Sequence, residues 1–446
     1  MSDSPFSYRR ADFERIAELC LAHARAQGAS AAELDVSEGI GQAVTVRKNE
    51  IETIEYNRDR GLNVTVYAGQ RRGNASTADL SEAAIRATVD KALTIARYTA
   101  EDPHAGLADV AWLATAQPDL DLYHPWTLSV ESAAEMARDC EAAAFAVDRR
   151  IDNSEGATVQ TQAGHFLYAN SLGFVGGYAS SRHGMSCAVI GVMADSMQRD
   201  YWYASARNAG DLPNARTVGR IAGERTVRRL GGRQLSTRQC PVIFEAPIAS
   251  SLVSSFVGAV SGGPLYRKSS FLLDSLGKPV FAPWVQLDEK PFLPRASGST
   301  PFDDEGVAAQ ERSIVRNGEV QGYFLGSYSA RKLGMRSTGN AGGSHNLVLQ
   351  PGEHDLAGLL REMGSGLLVT EMLGQGVNMV TGDYSRGAAG FWVENGEVQY
   401  PVEEITIAAN LKDVFRNLVA AGRDVDSRGA KHVGSLLAET MTIAGN

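Results

Sequence analysis

The chain has 446 residues, 43% of them hydrophobic and 21% charged, with a net charge of −9. That length predicts two or three domains, the composition is that of a globular chain, and the acidic balance argues against general affinity for nucleic acid. No apolar run reaches the roughly 18 residues that span a bilayer, the N-terminal MSDSPFSYRRADFERIAELC lacks the apolar stretch of a signal peptide, and Cys20, Cys140, Cys187 and Cys240 form no CxxC pair. The expectation is therefore a cytoplasmic protein with reduced thiols and no membrane contact.

The first third reads helix, strands, helix. Phe13, Ile16, Ala17, Cys20 and Ala24 recur at helical spacing. AVTVRKNEIETIEY then alternates around a turn at Lys48-Asn49, LNVTVYAG follows as a strand, and GNASTA is a further strand candidate. Asp79-Leu-Ser-Glu82 reads as a capping box before the apolar stripe Ile85, Val89, Ala92, Leu93 and Ala96. A Pro- and Asp-containing linker occupies about 100–126.

The second third repeats this order. Residues 129–148 predict a helix, 157–205 hold short alternating runs, and an arginine-rich helix covers 214–230. The bland reading of that last segment is a solvated helix with Val218, Ile221, Ala222 and Leu230 turned inward; a local anion or partner surface is the alternative. Both units enter their sheets through Ser-Glu-Gly, at 37–39 and 154–156. This suggests an internal duplication.

After a break at Gly231-Gly232 the texture becomes glycine-rich. Arg316-Asn-Gly-Glu-Val-Gln321 and Glu394-Asn-Gly-Glu-Val-Gln399 predict two hairpins on type I′ turns, whose central residues need positive φ. Helices are expected at about 355–364 and 408–421. The fold class is thus α+β: duplicated helix–β-meander–helix units followed by a β-rich C-terminal domain. The boundaries are 1–126 for the first domain and linker, 127–235 for its probable repeat, and 236–446 for the third.

The familiar catalytic spacings HExxH, HExxxH, GxSxG, GxxxxGK and a complete GxGxxG are missing. His345 and His354 are nine residues apart, which does not suit a helical zinc pair. Ser329-Ala-Arg-Lys332 matches SxxK without its companion motifs, so a polar helix start is the better reading. Asp303-Asp304-Glu305 could hold a hard cation, but is more simply a solvated loop. Two Gly-rich polar segments, around Ser337, Thr338, Asn340 and His345 and around Asp383, Tyr384 and Arg386, are either tight turns or walls of a groove holding an extended peptide. SSLVSSFVGAVSGG (250–263) has helix length, no ionisable side chain and a terminal Gly pair expected to stop it.

At these residues the chain resembles the TldD/PmbA family, in its PmbA (TldE) branch. The carrying segments are YRKSSFLLDSLGK (266–278), STPFDDEGV (299–307), SYSARKLG (327–334), EMGSGLLVTEMLGQGV (362–377) and GDYSRGAAGFWVENGEVQYPVEEITIAANLKD (382–413). The resemblance covers nearly the whole chain. It implies a two-subunit cytoplasmic metallopeptidase acting on unfolded peptides. The TldD-type subunit carries an HExxxH helix and zinc, and the PmbA-type subunit pairs with it as a heterodimer. In this chain SSFVGA (254–259) stands where that motif would lie, so Ser254, Ser255 and Ala259 replace its His, Glu and His. No His or Cys occurs in 241–344. The resemblance therefore implies no metal, cofactor or catalytic residue in this chain, a peptide-groove role for the Gly-rich segments, and a possible homodimer when isolated. Two other readings stay open: a self-associating peptide-binding regulator without a catalytic partner, and a peptidase using His345 and the acidic loops.

Overall fold

The computed structural model describes residues 5–194 and 196–445; Met1 to Ser4, at the head of the N-terminal stretch read above, lie outside it, as do Asp195 and Asn446. The first unit is α1 (Arg10–Ala26), β1 (Ala31–Arg47), β2 (Glu50–Ala68), β3 (Arg71–Thr77) and α2 (Glu82–Tyr98). The second is α3 (Val130–Phe145), β4 (Ile151–Asn170), β5 (Val175–Gly176), β6 (Ala179–Met193), β7 (Ser196–Ala206) and α4 (Ala215–Arg228). The helix–meander–helix order recurs, but the sheet does not stop at residue 126. β1 pairs antiparallel with β4, from Glu33 opposite Asn170 to Val46 opposite Ala157, and the main order is β3-β2-β1-β4-β6-β7.

Alternation along these strands decides which face is covered. Leu34, Val36, Leu62, Val64 and Val66 face one way and are buried with α1 and α2. Val44, Val46, Val159, Cys187 and Val189 face the same way and are buried with α3 and α4. Because strand side chains alternate, Glu33, Asp35, Tyr67 and Tyr168 project from the opposite face. The Lys48-Asn49 turn is present, with φ of 50° and 67°. The runs read as short pieces within 157–205 are parts of long strands. The expected capping box is not formed from Asp79: Ser81 caps α2 by accepting from the Ala84 N–H, and Asp79 accepts from the Ser81 N–H.

The third domain contains β8 (Arg238–Phe244), α5 (Ala246–Ala259), α6 (Gly262–Tyr266), β9 (Leu287–Glu289), β10 (Arg312–Arg316), β11 (Glu319–Val320) and α7 (Ser327–Lys332). It continues with β12 (Leu347–Leu349), α8 (Leu356–Met363), β13 (Gly366–Leu373), β14 (Asp383–Glu394), β15 (Glu397–Asn410), α9 (Leu411–Arg416), β16 (Leu418–Ala421), β17 (Lys431–His432) and β18 (Leu436–Ala444). One sheet runs β15-β14-β13-β8-β18-β16, and β15 also pairs with β18, so five of its strands close into a ring. A second sheet runs β11-β10-β9-β12-β17. Helix α5 packs Leu252, Val253, Phe256 and Ala259 into the large core of this domain, while α8 covers Ile243, Leu368 and Val393 on the other side of the ring. Both Asn-Gly turns have the positive φ pair expected, at Asn317-Gly318 and Asn395-Gly396.

Three expectations are corrected here. The helix at 408–421 is only α9, because Leu418–Ala421 pair with β18 instead. Gly262-Gly263 does not stop the chain but opens α6; α5 ends earlier, at Ala259. The arginine-rich helix is not simply solvated. Arg225 lies 2.9 Å from Glu245 and 3.5 Å from Asp200, and Arg229 lies 2.5 Å from Glu371 and 3.6 Å from Asp200. The two arginine side chains are 10–15% exposed and tie the second unit to the third domain. Sequence periodicity sees the inward apolar stripe but not a partner surface on the polar side.

Helices α3 and α4 touch at Gly219, where an added Cβ would sit 1.8 Å from the Cys140 carbonyl oxygen. Replacing a helix-interior Gly by Ala ordinarily gains about 1 kcal/mol. Gly219→Ala is expected instead to cost about 1–3 kcal/mol by forcing the helices apart. Urea denaturation measures this, and a gain in stability would contradict the close packing.

Candidate functional site

The uncovered face of the large sheet meets the third domain across a cleft of about 1140 Å³. Its floor comes from β1, β2 and β4. Asp35 stands opposite Asn63 on one side and Tyr168 on the other. The Tyr67 and Tyr168 hydroxyls donate to the two carboxylate oxygens of Glu33, at 2.9 and 2.8 Å. Burial, and after it the Glu33 charge, raise the pKa of both phenols, so they stay protonated donors at neutral pH.

The roof comes from two loops of the third domain. Asp303 is 3% exposed, so the solvated loop expected from its sequence is corrected. Its Oδ1 accepts from the Glu305 and Val307 N–H groups and its Oδ2 from the Ala341 N–H, each at 2.9 Å. Glu305 accepts from the Ser327 N–H at 2.8 Å. Asp304 is exposed on the same loop. Burial raises the carboxyl pKa of Glu33, Asp35 and Asp304, with Asp35 and Glu305 adding to the effect on Asp304. Burial pushes Asp303 up to about 7.

The Gly-rich residues divide between two places. Glu289, 1% exposed, binds Arg312 at 2.7 Å, the Asn340 amide at 2.8 Å and the His345 N–H at 2.8 Å. Thr338 donates to Asn340 Oδ1, and Ser337 donates to the Leu325 carbonyl. These residues pin the loop, and His345 lines the cleft. Asp383, Tyr384 and Arg386 lie on β14 and do not line it. There Asp383 accepts from Thr381 and Asn410, while Tyr384 is 2% exposed. Ser329 of the SxxK match donates to the Gly326 carbonyl, and Lys332 pairs with Asp102 at 3.4 Å.

On α5, the Ser254 hydroxyl donates to the Ser250 carbonyl at 2.8 Å and the Ser255 hydroxyl to the Ser251 carbonyl at 3.0 Å. Ser254 is exposed, whereas Ala259 is fully buried. Their five-residue spacing puts them about 140° apart around a helix. Two hydroxyls and a methyl do not fit zinc, which takes imidazole, thiolate or carboxylate donors. Among the described residues, no group of three or more His, Cys, Asp or Glu is placed to hold a metal ion.

Sequence reasoning missed Glu33, Asp35, Tyr67 and Tyr168. Their signal was present as the polar half of an alternating pattern, which reads as a solvent face unless a covering domain is known.

Asp303 yields a pH prediction. Its folded pKa lies above its ordinary 3.8, so the folded chain holds a proton that the unfolded chain has lost between about pH 4 and 7. Its contribution to stability therefore falls as pH rises through that window. Asp303→Asn removes this loss, so the stability advantage of the native chain over the variant should shrink by about 4 kcal/mol between pH 4 and pH 8. Urea unfolding at both pH values checks this; an unchanged difference would mean that Asp303 ionises as freely folded as unfolded.

Comparison with known families and structures gives a consistent picture. The chain matches models described as PmbA/TldA metallopeptidase domain 1 over residues 32–96, the central domain over 123–230 and the C-terminal domain over 237–445. It is 50% identical to the metalloprotease PmbA homolog of Haemophilus influenzae over 94% of this chain and 93% of that one. It is 48% identical to metalloprotease PmbA of Escherichia coli O157:H7, over 93% and 92%. A solved Bacteroides thetaiotaomicron protein, described as a candidate modulator of DNA gyrase, superimposes with a TM-score of 0.92 at 29% identity over 97% of this chain and 99% of that one. TldE from Thermococcus kodakarensis shares the fold, with a TM-score of 0.84 at 19% identity over 97% and 100%.

Proposed function

Because the chain belongs to the PmbA/TldA metallopeptidase family, on its PmbA (TldE) side, we propose that it is the non-catalytic subunit of a TldD/TldE-type zinc peptidase that processes unfolded peptides. The observation that carries this reading is the chemistry of α5. A metallopeptidase helix must offer metal donors and a base beside the bound water. Here the Ser254 and Ser255 hydroxyls are spent on carbonyls of their own helix, and Ala259 is buried in the core. No His or Cys lies in residues 241–344 to replace them. Zinc and the hydrolytic water would belong to a TldD-type partner. This chain would supply walls that hold the peptide, with the cleft of about 1140 Å³ between the large sheet and the third domain as the concave surface for it.

None of the cleft residues named above is a serine or cysteine nucleophile beside a base. His345 spends one ring nitrogen on the Gly339 carbonyl. Asp303 and Glu305 are engaged by backbone N–H groups. These contacts favour holding a ligand over attacking it.

The test is hydrolysis of an unstructured peptide in the presence of zinc, by this chain alone, by a TldD-type partner alone and by the mixture. Cleavage that requires the mixture is the expected result. Cleavage by the purified chain alone would overturn the assignment.

A further inference from the structure

The cleft has an unbalanced wall. Six carboxylates line it: Asp102 pairs with Lys332, but Glu33, Asp35, Asp303, Asp304 and Glu305 are in no ion pair among the described residues. Several buried charges elsewhere are closely paired, as Arg225 is with Glu245 and Arg312 with Glu289, while Glu141 is held by the Lys48 and Asn49 N–H groups instead. Two arginines also line the cleft. Arg207 donates to the Ser181 and Ser297 carbonyls, and Arg72 is exposed, acting on Glu33 without forming a close pair.

A second, independent feature has the same polarity. His345 is 7% exposed and lines the cleft. Its Nε2 lies 2.8 Å from the Gly339 carbonyl, and because a carbonyl can only accept, that nitrogen carries the proton. In the neutral ring Nδ1 is a lone-pair acceptor, and it has no hydrogen-bond partner among the described residues. Asp304 acts electrostatically on this ring, and its carboxylate has no hydrogen-bond partner among the described residues either. An acceptor on a buried ring that lines the same cleft as these carboxylates suits a donor that is also a cation.

A bare metal ion does not suit the arrangement, since no three of these groups converge on one point among the described residues. The cleft is also far larger than an ion. Tyr168, Tyr178, Phe166 and Phe302 line it as well, and aromatic rings suit both an ammonium group and the apolar stem that carries it.

We propose that this cleft binds the primary ammonium group of a peptide, between Asp35 on the sheet and Asp304 and His345 on the third domain. The inference rests on the peptide-holding role argued above and adds the chemical class recognised. The α-amino group of a peptide and a lysine side chain carry the same chemistry.

The test is binding of three short, fluorescently labelled peptides of Gly, Ser and Ala to the full-length chain. One has a free amino terminus and no lysine, one is the same peptide acetylated, and the third is acetylated with a single central lysine. A charge-assisted contact predicts that the free amino peptide binds about tenfold tighter than its acetylated form. Recovery with the lysine peptide assigns the site to any primary ammonium; no recovery assigns it to the α-amino group. Asp35→Asn combined with Asp304→Asn should abolish the preference for the free amino peptide, with circular dichroism and urea unfolding reporting that the variant is folded; a preference kept by the folded variant would overturn the assignment to these carboxylates. Equal binding of free and acetylated peptides by the native chain would overturn ammonium recognition and leave the peptide-holding role standing. Absence of binding by all three would overturn both.

Discussion

The antiparallel pairing of β1 with β4 is the contact on which the rest of the structure depends. It joins two helix–meander–helix units into one sheet with a common apolar face, so all four helices pack on the same side. The register is held by that face. A slip of one residue would turn Leu34, Val36, Val44 and Val46 away from the helices and bring Glu33 and Asp35 against them. Among the described residues the covered face carries two buried carboxylates: Glu38, satisfied by the Ser7 and Tyr8 N–H groups, and Asp200, which faces Arg225 and Arg229 of α4. With one side closed, the polar side is left for the third domain, and the cleft is the space between them.

How the two bodies are held apart follows from where charge is paired. Arg225 and Arg229 of α4 reach Glu245 and Glu371 of the third domain, with Asp200 of β7 between them. Arg331 reaches the backbone carbonyls of His104 and Gly106, and Arg428 reaches that of Tyr203. Removing one partner from such a buried group leaves the other uncompensated, which makes these contacts specific even where their net contribution is small. Of the carboxylates lining the cleft, Asp102 pairs with Lys332, whereas Glu33, Asp35, Asp303, Asp304 and Glu305 are in no ion pair among the described residues.

Much of this was legible in the sequence because it is local. The stripes of α1 and α2 are the buried residues read from periodicity, and both Asn-Gly turns adopt the backbone their residues favour. What was not legible is non-local. Residues 408–421 carry helical spacing, but Leu418–Ala421 are claimed by an edge of β18. Asp303 sits in a polar loop that reads as solvated, yet it is buried, accepting from the Glu305 and Val307 N–H groups of its own turn and from the Ala341 N–H of a distant loop. The cleft brings residue 35 beside residues 168 and 304, and nothing in the vicinity of any one of them announces the others. The Gly-rich loops were recognised as unusual, yet much of their polarity serves loop geometry: Thr338 and Asn340 hold Glu289 and Arg312 in place, and Asp383 is tied to its own turn.

Helix α5 holds its place in the fold by packing, independently of what its exposed face carries. Phe256 is fully buried against Phe281 and Phe415, and Leu252 and Ala259 share that core, so the helix is required by packing whatever its exposed face carries. Ser254, Ser255 and Ser261 each turn back to the carbonyl four residues earlier. That arrangement uses the hydroxyl proton in place, and the lone pairs left belong to neutral hydroxyls, not to the imidazole, thiolate or carboxylate donors that zinc takes. The inward side of the helix is thus constrained by the core, and its outward side carries neutral hydroxyls. A protein built this way can still contribute shape and charge to a shared substrate path, and the unpaired carboxylates of its cleft lie on the large sheet and the acidic loop, not on this helix.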